Sequence, residues 1–330
     1  MKLFQKSALA VAIAAVPFLS VNAMEALDDA TLSEMTGQAG VTIETTVDGT
    51  QGITIGSIEY TDTGSGATGG GSLVINGVNA GDAGVTLQGQ VWDSGTNTWI
   101  DGNSTTAQTI DIDEYGNLIT ETKAVSGFRT VTVNGEDINI GAQKISVGQV
   151  LLRSADQQAN GTGGAQLVSG LEMTIESGDS SAHILNLSGD QAARTAAIGN
   201  YTTAHGTSGT IDTGLTRADA SGANLAIVSK GKSRISNLNV NALDGAIGIT
   251  GLSYGGGDDG TELMNSTQVI WAKGGAAIAG DHTSGGVYIQ GSDSVGTLSI
   301  DSIAIGGSSI GSVAIRNINQ AGSVTRIYGH

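Results

Sequence analysis

The chain of 330 residues has no cysteine and a single proline, Pro17. Without cysteine it has neither disulfides nor thiolate metal sites. Disordered low-complexity segments are usually rich in proline, and average proteins carry about 5%. This chain instead carries 52 glycines, among many valine, isoleucine and leucine residues. The composition predicts a folded β protein with many turns.

Basic residues are scarce as well. Lysine and arginine total 14 against 31 aspartates and glutamates, which gives a formal net charge of −17. Because such a surface repels phosphate backbones, nucleic-acid binding is not expected. The acidic surface favours solubility and a weak attraction for divalent cations.

The N-terminus has the pattern of an export signal. Two lysines precede an apolar run at residues 7–19, and small residues follow up to Ala23. The run is shorter than the roughly 20 residues that a membrane span needs. We predict a signal peptide over residues 1–23 and cleavage between Ala23 and Met24. The product is then exported across the periplasm and is not an integral membrane protein.

A short helix and linker motif is predicted at residues 24–40, before a glycine-rich β domain at 41–330. Asp28 or Asp29 can cap the helix, and Gly37 can close it. Its apolar face is small, so we expect the helix to pack over the end of the β domain; a flexible recognition tag read by an export or assembly partner is the alternative. The residues of that face are Leu27, Leu32 and Met35.

Alternating apolar and polar residues predict short strands in much of the rest of the chain. Examples are Val41-Thr42-Ile43, Val85-Thr86-Leu87, Ile110-Asp111-Ile112, Val131-Thr132-Val133, Ile138-Asn139-Ile140 and Val287-Tyr288-Ile289. One stretch, 190–200, tolerates a helix.

A six-residue pattern recurs, with apolar residues at its first, third and sixth positions. The clearest copies are 53–58, 73–78, 238–243, 247–252, 298–303 and 313–318. A small-residue corner between inward-facing side chains is what a β-solenoid needs where its strands bend. The predicted fold class is therefore all-β, with a parallel β-helix or similar solenoid and a short N-terminal capping helix. A β-sandwich or antiparallel β-roll is the alternative.

Few residues point to chemistry, and no catalytic, cofactor-binding or metal residue is assigned. Residues 111–116 begin like a calcium-binding EF-hand loop, but a hairpin turn at Tyr115-Gly116-Asn117 explains them better. Residues 255–260 resemble a glycine-aspartate calcium repeat that occurs only once. Calcium-dependent folding is therefore kept as a further hypothesis. The four histidines show no metal-ligand spacing. They are His183, His205, His282 and His330.

Two surface features are more specific. The cluster Lys230, Lys232 and Arg234 is predicted to guard a hairpin tip or sheet edge; an acidic partner is the alternative. Trp92 and Trp99 flank a five-residue turn and are predicted to pair across two strands. A stacking platform for a sugar or a protein partner is the alternative.

Residues 24–44 resemble the start of the FilA-type pilus-system proteins of Gram-negative bacteria. The matching residues are Leu27, Asp28, Asp29, Leu32, Ser33, Glu34, Thr36, Gly37, Gln38, Ala39 and Gly40, followed by Val41-Thr42-Ile43. The resemblance implies an exported surface protein tied to a pilus-like system, and it brings no catalytic residue with it.

These observations predict a non-enzymatic structural or adhesive surface protein of a pilus system. Its partners would be other pilus or surface-assembly proteins, or a host surface or polysaccharide. The alternative is a secreted β-helix protein that binds or degrades carbohydrate.

Overall fold

The computed structural model describes residues 40–62, 70–133, 136–206, 211, 214–217, 220–275, 284–291, 294–319 and 323–328. The predicted signal peptide, its cleavage site and the predicted helix at 24–37 lie outside these residues. Of the motif that carries the family resemblance, Gly40 is described, directly before the first strand.

The strands, in chain order, are β1 (Val41–Val47), β2 (Ile53–Ile55), β3 (Ser57–Thr61), β4 (Ser72–Asn76), β5 (Val85–Asp93), β6 (Thr98–Asp101), β7 (Ser104–Ile112), β8 (Leu118–Ser126), β9 (Arg129–Val133), β10 (Glu136–Arg153), β11 (Ala165–Ser177), β12 (Ser180–Asn186), β13 (Leu225–Ala242), β14 (Ile247–Gly255), β15 (Met264–Lys273), β16 (Gly286–Gln290), β17 (Val295–Ile305), β18 (Ser308–Asn319) and β19 (Val324–Ile327). The helices are α1 (Ala155–Asn160) and α2 (Gln191–His205). The all-β prediction is confirmed, and every strand segment predicted from alternation lies in a strand.

Every pairing between these strands is antiparallel. The predicted parallel β-helix is therefore wrong. The physical reason lies in the connections, because a tight turn can join only antiparallel neighbours. Residues 94–97, 113–117 and 306–307 are such turns.

Apart from β6 and β9, which pair with β5 and β10, the strands form two connected sheets. The first, which we call the creased sheet, has the order β2/β3, β5/β4, β10, β11, β13, β14, β17, β18. The second, the helix-covered sheet, has the order β1, β7, β8, β12, β13, β15, β16, β19. Strand β13 belongs to both, with residues 225–232 in the helix-covered sheet and 233–242 in the creased sheet.

The recurring six-residue pattern produces β-bulges in the creased sheet. Thr250 and Gly251 both lie opposite Asn239, and Gly251 has φ +66°. A bulge of this kind bends the strand and returns the next side chain to the same face. Leu252 therefore shares the apolar face of Ile249. The six-residue pattern therefore bends the strand as predicted, but the bend lies in an antiparallel sheet and not in a solenoid.

The β-bulges and other breaks in strand pairing line up across neighbouring strands, and together they form the crease. The Gly84 amide donates to the carbonyls of Ile55 and Gly56, 2.9 Å away, and the Gly148 amide donates to the Gly84 carbonyl at 3.0 Å. By register, Gly148 lies opposite Gly170, whose φ is +56°. Glycine suits such positions because backbones approach closely there. The close backbone approaches along the crease account for part of the glycine excess.

Helix α2 covers the main hydrophobic core. Asp190 caps it by accepting from the Ala193 amide at 2.9 Å, which confirms the helix-tolerant stretch. The core lies between this helix region and β12, β13, β15 and β16, and includes Leu185, Tyr201, Val228, Val269, Trp271 and Tyr288. Helix α1 was not predicted, although Ser154 and Gln157 form a capping box at its start. Among the described residues, no helix is long and apolar enough to cross a membrane.

Candidate functional site

The largest concentration of buried charge joins β9, β11 and β13. Glu176 is 1% exposed and accepts from Arg129 at 2.7 Å and from Arg234 at 2.6 Å. Burial acts to raise the pKa of Glu176, but the charges and hydrogen bonds of the two arginines outweigh it and hold the pKa below its usual range. Both carboxylate oxygens of Glu176 accept a hydrogen bond from an arginine, so this ion group links β9, β11 and β13.

The predicted cross-strand tryptophan pair borders this ion group and is confirmed. Trp92 and Trp99 are opposite each other on β5 and β6, with ring centroids 5.2 Å apart in an edge-to-face arrangement. The Arg129 guanidinium lies 5.0 Å from the Trp92 ring centroid, within reach of a cation–π attraction. Because the Arg129 guanidinium already lies over the Trp92 ring, the tryptophan pair is part of the fold.

The prediction for the basic cluster is wrong. Lys230, Lys232 and Arg234 lie on β13, which is paired on both sides.

A second polar cluster lies where helix α2 meets the helix-covered sheet. His183 Nδ1 is 2.9 Å from the Tyr201 hydroxyl, and His205 Nε2 is 3.3 Å from Asp113 Oδ2. Burial lowers the pKa of His183 to about 4, with the positive charges of His205 and Lys230 adding to the effect.

The cluster is closed and structural. His183 is 5% exposed and Tyr201 is fully buried, so a substrate cannot reach them in this arrangement. Asp113 also accepts from the Asn117 amide at 2.8 Å, which confirms the predicted turn between β7 and β8. No group of three potential metal ligands occurs within the described part of the chain. Sequence analysis missed the cluster because its members lie on distant segments; Tyr201 and His205, four apart on one helix, are the only local signal.

A cavity of about 290 Å³ separates β1, β7 and β8 from β10 and β11. Apart from Lys123, its lining is uncharged and consists mainly of hydroxyl, amide and small apolar groups. The lining includes Ile43, Thr45, Thr106, Gln108, Thr122, Gln143 and Ser177. Most of the exposed lining is apolar, so the ligand type that fits is uncharged and presents both apolar and polar surface.

Within the described residues, the creased sheet ends in two edges that pair with no further strand. Strand β18 is twelve residues long, pairs only with β17 among the described strands, and is exposed at nearly every position. Its exposed apolar side chains include Ile310 (63%) and Ile315 (49%). Strands β2 and β3 form the opposite edge, where Ile55 and Tyr60 are 44% and 58% exposed. Long apolar edges are templates for strand pairing with another chain.

Comparison with known proteins adds one finding. Residues 1–114 match the model of a family of unknown function (DUF6160). The match covers the predicted signal peptide, the motif after it and strands β1 to β7. No curated protein and no solved structure matches the chain.

Proposed function

We propose that the protein is a non-enzymatic exported surface protein, a structural or adhesive component of a pilus system. The predicted signal peptide and the resemblance of residues 24–44 to FilA-type proteins support export and the association with pili. The observation that carries the proposal is the open edge of β18. An exposed edge of this length carries a risk of aggregation. A partner that pairs with β18 would explain why the protein has such an edge.

Its partners on this proposal are other pilus or surface-assembly proteins. Intact cells that produce the chain, and cells from which its gene is deleted, would be labelled with gold-conjugated antibody. We expect label on surface fibres of the first and its loss in the second. Sequencing of the mature N-terminus should begin at Met24. A cytoplasmic product that still begins at Met1 would overturn the proposal.

A second candidate function is carbohydrate binding, favoured by the neutral, hydroxyl-rich lining of the inter-sheet cavity. Calorimetric titration with neutral oligosaccharides should give heat that disappears in a Gln108→Ala, Gln143→Ala double variant. Gln88→Ala is the matched control, because that amide bonds the Thr50 carbonyl outside the cavity. Equal heat for both variants would remove this candidate.

A further inference from the structure

We propose that copies of this chain join head to tail, with β18 of one copy pairing antiparallel to the β2–β3 edge of the next. The partner surface is therefore a second copy of the same chain. The inference rests on the structural role proposed above and names the contact through which that role would be carried out.

The first argument is the direction of the strands. The creased sheet has eight strand positions from β2/β3 to β18, and each position is antiparallel to its neighbour. With an even number of positions, the two edge strands run in opposite directions. A second copy that continues the sheet therefore presents its β2–β3 edge antiparallel to β18, and the alternation is preserved.

The second argument is charge. The only charged residue of β18 is Arg316, and the only charged residue of β2 and β3 is Glu59. The two edge strands therefore carry single charges of opposite sign. The Arg316 guanidinium also donates to the Asp258 carbonyl at 3.1 Å, in a loop that carries Asp258 and Asp259. Pairing β18 with β18 would bring two arginines to one joint, and pairing β2–β3 with itself would bring two glutamates. Like charges disfavour both symmetric contacts.

The third argument is the exposure of apolar side chains along β18. Ile310, Val313 and Ile315 are 63%, 39% and 49% exposed, although the loop after β14 lies against the sheet nearby, where Thr297 Oγ1 donates to the Gly257 carbonyl at 2.8 Å. The apolar row Leu238, Leu252, Ile300 and Val313 runs across four strands to the edge. Ile53 and Ile55 offer apolar side chains at the opposite edge, so a joint can extend the row from one copy to the next.

The size of the contact sets its strength. The β2–β3 edge spans residues 53–61, about 30 Å at ~3.4 Å per residue. A joint about 30 Å long and ~10 Å wide buries on the order of 600–1,000 Å², the size of a weak interface. Assembly is therefore expected at high local concentration, as on a cell surface.

A head-to-tail contact that does not close gives a filament. Eight strands at ~4.8 Å advance each copy by about 38 Å. A twist of roughly 20–25° per strand rotates each copy by about 160–200°. Electron microscopy of concentrated protein should show fibres with this axial repeat.

The test uses cross-linking of the purified exported chain, which has no cysteine of its own. Single cysteines are placed on β18 (Ser312→Cys, Val313→Cys or Ile315→Cys) and on the other edge (Ile53→Cys, Ile55→Cys or Ile58→Cys), three on each to sample registers. Mild oxidation of mixtures should give disulfide-linked dimers containing one chain of each kind. Ile112→Cys is the control, because Ile112 is 67% exposed but lies on the helix-covered sheet.

Dimers formed by a β18 variant alone would show a symmetric contact and overturn the proposal. A lack of cross-links in every mixture, with monomers alone in sedimentation at high concentration, would also overturn it. Val313→Lys and Ile310→Lys should each weaken association at least tenfold while leaving the melting temperature within a few degrees, because both side chains are exposed. If these variants still reach the cell surface, export does not depend on the contact between copies. If the unmodified chain stays in the cytoplasm, the proposed exported role is wrong, whatever the cross-linking shows.

Discussion

At the scale of single residues, buried charge makes the fold most sensitive to substitution. Glu176 neutralises two arginines from different strands at 2.6–2.7 Å. We predict that Glu176→Gln destabilises the chain by about 3–5 kcal/mol, since removing one member of a buried ion group leaves uncompensated charge. Urea unfolding followed by tryptophan fluorescence measures the loss.

The control for this substitution is Glu121→Gln. Glu121 lies 3.8 Å from Lys123, and both side chains are about half exposed or more. An exposed pair contributes roughly 0–1 kcal/mol, so the free energy of unfolding should hardly change. Equal effects of the two substitutions would contradict the structural role of Glu176.

The buried His183 predicts a dependence of stability on pH. Its pKa of about 4 in the folded chain lies below the ordinary value of 6.5, so the unfolded chain takes up the proton first. The stability is fully present above pH 6.5 and is lost as the pH falls towards 4. The loss reaches about 3 kcal/mol at most.

Urea titrations at a series of pH values separate the contribution of His183 to the pH dependence of stability from that of the carboxylates. The pKa values of Glu176 and Asp113 are lowered. The two arginines outweigh burial at Glu176, and hydrogen bonds outweigh it at Asp113, so both groups titrate below the usual range of their residue type. Between pH 6.5 and 5 the slope should therefore flatten in His183→Gln. An unchanged slope in this variant would assign the pH dependence to other groups.

At the scale of elements, the crease depends on residues that accept a left-handed backbone. Gly251 has φ +66°, and a Cβ there would overlap the Asp301 side chain. We predict that Gly251→Ala costs about 1–3 kcal/mol. Gly199→Ala should instead add about 0.5–1 kcal/mol, because Gly199 is helical and has open space around its Cα. Thermal unfolding of both variants tests the crease; equal shifts of the same sign would contradict it.

The elements could largely be predicted from sequence, but their pairing could not. Alternation identifies segments such as 85–87 and 287–289 as strands. In 85–87 the apolar face includes the buried Leu87, whereas in 287–289 the buried residue is Tyr288, between the two apolar positions. The direction of pairing was predicted wrongly because the six-residue pattern around Gly251 suits a solenoid corner and a β-bulge equally well. Only the partner strand distinguishes them, and β13, β14 and β17 are brought together by the fold.

The buried clusters show the same limit at longer range. Trp92 and Trp99 flank one turn, so their pairing follows from local sequence. Arg129 and Arg234 lie 47 and 58 residues from Glu176, and no spacing relates them. The basic cluster was assigned to an edge for this reason, since the sequence does not show that β13 crosses both sheets.

At the scale of the whole molecule, two sheets share one strand and differ in how they are covered. The helix-covered sheet buries its core under α2, and its edge strands β1 and β19 are seven and four residues long. The creased sheet ends in the longer β18, exposed along its length. The exposed strand proposed for association therefore lies in a different sheet from the main hydrophobic core.

Net charge gives a last prediction for this arrangement. Removing Lys2 and Lys6 with the signal leaves 12 basic against 31 acidic residues, a charge of −19. Copies that approach one another repel, and the range of that repulsion falls from about 30 Å at 0.01 M salt to ~8 Å at 0.15 M. Self-association of the exported chain should therefore strengthen as salt rises, although the opposite charges at the joint are screened too. Sedimentation velocity at both salt concentrations measures it, with Val313→Lys as the variant that should stay monomeric in each. Association that weakens with salt would mean that attraction at the edges outweighs the repulsion of the whole acidic surface.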